Sequence, residues 1–79
     1  MGQSTPTLPL IILSLLDERP MHPYEMRQLM RYRALDRVVR VTAGSLYHTV
    51  ERLQRGGWIE PLETGREGRR PERTVYAIT

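Results

Sequence analysis

TAGSLYHTVERLQRGG, Thr42 to Gly57, is the stretch on which the fold turns. Leu46, Val50 and Leu53 recur at i, i+4 and i+7, the spacing of an apolar stripe on a helix. Thr42 suits the N-cap, and Val41 can staple onto Leu46. Gly56 is placed to end the helix as a C′ glycine. The pattern predicts a helix over 42–56, yet its first turn holds Gly44 and Ser45, both poor helix formers. At about 100° per residue, an inward stripe turns Gly44, Ser45, His48, Glu51, Arg52 and Arg55 outward and leaves Tyr47 on the flank. An outer face that is thin at its N-terminal end and polar further along suits the DNA major groove, where bulk would hold the backbone away from base edges.

Upstream, Leu8 to Leu16 is almost wholly apolar and predicts a first helix from about Leu8, with Thr7 as N-cap and Pro9 in the first turn. With so little polar face it belongs in the middle of a core, and it should stop between Asp17 and Pro20. The segment MHPYEMRQLM carries a second helix start: His22 as cap, Pro23 at the first position, Glu25 near the positive end of the dipole, and Met21 stapling onto Met26. This helix runs to about Arg33. Val38, Val39 and Val41 are β-branched, so a brief extended piece is expected there, available to pair with a later hairpin.

Downstream, WIEPLE and TVYAIT flank the Gly- and Arg-rich TGREGRRPER, which reads as a hairpin with a long loop. Pro61 should sit at an edge or strand end, having no N–H for a ladder. Within 64–73 the arginines Arg66, Arg69, Arg70 and Arg73 outnumber Glu67 and Glu72, so the basic excess of the chain is local. Two closely joined helices, the second polar outside, followed by a hairpin with a basic loop, describe a winged helix-turn-helix. The fold class is α+β, mainly α, with three helices and a two-stranded wing. Residues 1–7 are expected to form a flexible, fraying segment and residues 8–79 the DNA-binding domain.

Seventy-nine residues allow one small core, and the absence of cysteine excludes a disulfide framework or a Cys-based zinc site. No apolar run is long enough to span a bilayer, so a cytoplasmic protein is expected. The net charge of +3 and pI near 10.0 bias the chain mildly toward polyanions. All its basic residues are arginine, which fits either bidentate phosphate and base contacts or arginine-rich codon usage. His48 has no second ligand at helical spacing, so no metal is expected. Asp17 and Glu18 read as a solvated turn, while Met21, Met26, Met30 and Trp58 read as core. Tyr47 can either pack on the second helix or donate to a phosphate; Arg52 and Arg55 can form a solvated face paired with Glu51, the reading preferred for Arg55. No nucleophile–base set, phosphate-cradling loop or cofactor motif is present, so no enzymatic activity and no cofactor are expected.

The combination of LPLIILSLL, HPYEM, TAGSLYHTVERLQRGGWIE and GRRPERTVYAIT, in that order, resembles the PadR-like transcriptional regulators over nearly the whole chain from Leu8. That resemblance implies a winged helix whose third helix and wing bind operator DNA, as a repressor. It carries DNA contacts onto Ser45, Tyr47, His48 and Arg52 in the helix and onto Arg69 and Arg70 in the wing; the thin first turn adds Thr42 and Gly44. Members usually continue past the last strand into a helical part that makes most of the dimer contact and often helps form an effector site. A homodimer is therefore expected when such a part is supplied, with a small-molecule effector an open matter. Pro23 stands where the family more often has glycine, and suits a first helical position without changing the fold. The competing reading is a winged-helix module that binds another protein and no DNA.

Overall fold

The computed structural model describes residues 7–37, 39–62 and 74–79. The expected fraying of 1–7 and the basic loop 64–73, with Arg69 and Arg70, fall largely or wholly outside them. Three helices, α1 (Thr7–Glu18), α2 (Pro23–Tyr32) and α3 (Ala43–Arg55), precede the strands β1 (Ile59–Pro61) and β2 (Tyr76–Ile78), and a short 3-10 helix, Leu35–Arg37, lies between α2 and α3. The result is a winged helix, mostly helical with an antiparallel hairpin, as the pattern of elements predicted.

One core serves all elements. Leu8, Ile12, Leu15 and Leu16 of α1 meet Met26 and Met30 of α2, Leu46, Val50 and Leu53 of α3, and Ile59 and Tyr76 of the strands. Each fully buried side chain of this size stabilises the fold by roughly 1.5–3 kcal/mol. The first helix is less enclosed than its composition suggests: Leu10 is 56% exposed and shares an outer stripe with Ser14 and Asp17. A three-helix domain this small has too few partners to cover a helix all round.

The hairpin pairs Ile59 with Ile78, Glu60 with Ala77 and Pro61 with Tyr76. It is extended by the Leu62 N–H donating to the Val75 carbonyl (2.7 Å) and by the Thr79 N–H donating to that of Trp58 (3.2 Å). Tyr76 turns its own N–H and carbonyl to the other edge, where they bond Met21 at 3.0 and 3.1 Å. Opposite Tyr76, therefore, no ladder bond is asked of Pro61, which ends β1 as a residue without an N–H should.

Two expectations are corrected here. The extra partner of the hairpin is Met21, between α1 and α2, and not the valine stretch. Val39 and Val41 form no strand and lie half-buried against the core, while Val38 is outside the described residues. Trp58, read as core, is 61% exposed. Strand alternation explains it, because Ile59 takes the inward position and its neighbours must point out.

Candidate nucleic-acid interface

The start of α3 is built by reciprocal bonds. Thr42, extended at φ −114° and ψ 164°, accepts from the Ser45 N–H through its hydroxyl (3.0 Å), and the Ser45 hydroxyl accepts from the Thr42 N–H (3.0 Å). The same serine hydroxyl lies 3.1 Å from the Thr42 carbonyl, to which it donates, and the Thr49 hydroxyl donates to the Ser45 carbonyl at 2.7 Å. Ser45 is thus the third-position half of a capping box, a role that its sequence reading as a merely small residue missed. The far end is a Schellman turn: the Trp58 N–H reaches the Leu53 carbonyl (2.9 Å) and the Gly57 N–H that of Gln54 (3.0 Å). The left-handed residue is Gly57 (φ +82°), and Gly56 is the C-cap (φ −82°), one place earlier than the C′ position expected for it.

Between these ends the two faces of α3 separate as predicted. Leu46, Val50 and Leu53 are buried, while Gly44, His48, Glu51, Arg52 and Arg55 are exposed and Ser45 and Tyr47 are half-buried. Gly44 is informative because nothing in the fold requires it. Its backbone is not left-handed, and an added Cβ would meet only the Thr42 hydroxyl, at 3.9 Å. Alanine there would favour the helix. No acidic residue stands in the first turn, so the positive end of the helix dipole is uncompensated by the chain itself.

The charged groups of this face divide. Arg55 donates to Glu51 at 3.0 Å, the expected pair, whereas Arg52 has no ion-pair partner among the described residues. Tyr47, half-buried, borders a groove of about 290 Å³ with Pro23, Val50, Glu51, Gln54 and Tyr76. Burial raises the Tyr76 phenol pKa above its ordinary value, and the Glu51 carboxylate adds to the shift.

The structure therefore brings Thr42, Gly44, Ser45, Tyr47, His48 and Arg52 onto one helix and its rim, and Arg69 and Arg70 lie outside the described residues. Sequence reading, by placing the basic excess at 64–73, passed over a second group of arginines between Arg27 and Arg40. Among the described residues, no helix is long and apolar enough to cross a membrane.

The model of the transcriptional regulator PadR-like family matches residues 12–79, well over half of the chain. No curated protein and no solved structure matches it.

Proposed function

This chain belongs to the PadR-like family of transcriptional regulators, and from that premise we propose that it binds duplex DNA sequence-specifically and acts as a repressor. Residues 8–79 serve as one DNA-binding unit. Helix α3 enters the major groove by its N-terminal turn, where Thr42, Gly44 and Ser45 allow close approach. His48 and Arg52 reach base edges, and Tyr47 contacts the backbone from the rim. Arg69 and Arg70 grip flanking phosphates from the wing. The active form is a homodimer on a near-palindromic site, open to a small-molecule effector.

The observation that carries this reading is Gly44, an exposed glycine in a helix whose fold gives it no reason to be glycine. Selection of bound sequences from a random duplex pool, read with the solution mass, tests it. An enriched palindrome and a dimer mass are the expected results. A pool that returns unenriched, with no salt-dependent binding, overturns the reading.

One feature favours the protein-binding alternative. Alternation places Trp58 and Leu62 on the outer face of the hairpin, and both are exposed. In that case Trp58→Ser would abolish partner capture, and neither it nor the unaltered chain would show salt-dependent binding to duplex DNA.

A further inference from the structure

Among the described arginines some are ion-paired and others, Arg52 on α3 included, are not. Arg19 is paired with Glu25, Arg55 with Glu51, and Arg33 holds both oxygens of Glu18 at 2.8 and 3.0 Å. Arg27, Arg31, Arg37 and Arg40 have no ion-pair partner among the described residues. All four lie within residues 27–40, and two of them share a recess with the stretch that carries the other two. Arg27 and Arg31, one turn apart on α2, border a recess of about 40 Å³ with Met30, Asp36 and Val41. Arg37 follows Asp36 at the end of the 3-10 helix, and Arg40 precedes Val41, the residue before the Thr42 cap. Arg27 and Arg31 thus share a recess with Asp36 and Val41, and Arg37 and Arg40 are the chain neighbours of those two residues, just before the uncompensated positive end of α3.

We propose that Arg27, Arg31, Arg37 and Arg40 form a second grip on the phosphate backbone of duplex DNA, at the opposite end of α3 from the point where the hairpin departs. The inference rests on the DNA-binding reading above and adds to it residues that lie outside α3 and the wing. Like charges one turn apart on a helix repel each other, and Asp36 is the one carboxylate that borders Arg27 and Arg31 in their recess. An anionic partner relieves that repulsion. Helix α3, at 13 residues, is about 20 Å long, longer than the roughly 12 Å width of a major groove. Basic groups carried just before its first turn, the end that enters the groove, are then brought toward the phosphates flanking the point of entry. Guanidiniums suit this task because their fork of donors fits phosphate oxygens in pairs.

The test is a salt series of binding to a fluorescein-labelled mixed-sequence duplex, followed by anisotropy. It compares the unaltered chain with Arg27→Gln/Arg31→Gln, Arg37→Gln/Arg40→Gln and, as a control of equal charge change per site, Arg33→Gln. Each cluster double should lower the slope of log K against log salt by about 0.9 for every phosphate that is no longer neutralised, while Arg33→Gln leaves it unchanged. Thermal melting checks that each variant folds, and the single Arg40→Gln, in an exposed connection, stands in for any double that does not. Slopes equal to that of the unaltered chain overturn the inference, as does an equal fall in Arg33→Gln. An unaltered chain that shows no salt-dependent binding overturns the DNA-binding reading and this inference with it.

Discussion

Helices α2 and α3 start from similar parts, arranged to different ends. At α2 the His22 Nδ1 accepts from the Glu25 N–H (3.2 Å), the staple Met21–Met26 is fully buried, and Pro23 at the first position is buried too. Glu25 then sets a negative charge on the dipole and is itself tied to Arg19. At α3 the cap is as well made and the Leu46 end of the staple is buried, but the first positions, Ala43 and Gly44, are exposed and no acid follows. Two capped and stapled helix starts can thus be closed off inside a domain or left open to a partner. The distinction lies in what covers the first turn and what charge stands on it.

Removing the staple residue of α2, Met26→Ala, should have the largest effect, about 2–5 kcal/mol of stability, read from thermal or denaturant unfolding. A smaller loss would mean that the start of α2 is less enclosed than its burial indicates. Giving α3 the acid that α2 already has, Ala43→Glu, should split two readouts. Stability is expected to rise by about 0.3–1 kcal/mol from the dipole, while duplex affinity falls at least tenfold, about 1.4 kcal/mol. Equal affinity in that variant would show that the first turn meets no phosphate. Thr42→Ala removes one half of the capping box and should cost about 1 kcal/mol in melting experiments.

The smallest effect concerns acid. Hydrogen bonds from Arg33 hold the Glu18 carboxyl below its ordinary value, against a weaker opposing effect of burial. A carboxyl lowered by folding adds stability above the ordinary glutamate range, and that contribution is lost as pH falls through the lowered value. Glu18→Gln should therefore flatten this part of the acid limb of a melting-temperature profile. Both partners are largely solvated, so the change is slight. An acid limb as steep in Glu18→Gln as in the unaltered chain would assign it to other carboxyls.

Helices α2 and α3 were legible because each carries several independent local signals, cap, staple, stripe and stop, that agree. The outward set of α3 followed from periodicity alone. What sequence could not supply depends on contacts between distant segments. Met21 reads as a staple residue, and a single bridging residue has no alternation to reveal that it also bonds Tyr76. The valines at 39 and 41 have strand propensity, but their side chains pack half-buried against the core and they pair with no described strand. Trp58 could have been placed by its neighbour, since Ile59 is the better candidate for the inward position and the two cannot both face in. The unpaired state of Arg27, Arg31, Arg37 and Arg40 was invisible because their pairing depends on where Glu18 and Asp36 come to rest. For the wing contacts, Arg69 and Arg70 remain proposals from the basic excess and the family resemblance.

The twofold bond between Met21 and Tyr76 joins positions far apart in the chain. Helices can form as soon as they leave the ribosome, but this closure must wait until residue 76 has been made, and contacts so remote in sequence slow the search for the native state. Until then the three helices lack the side of their shared core that Tyr76 closes, and a chaperone, or pairing with a neighbouring chain, would find that opening first.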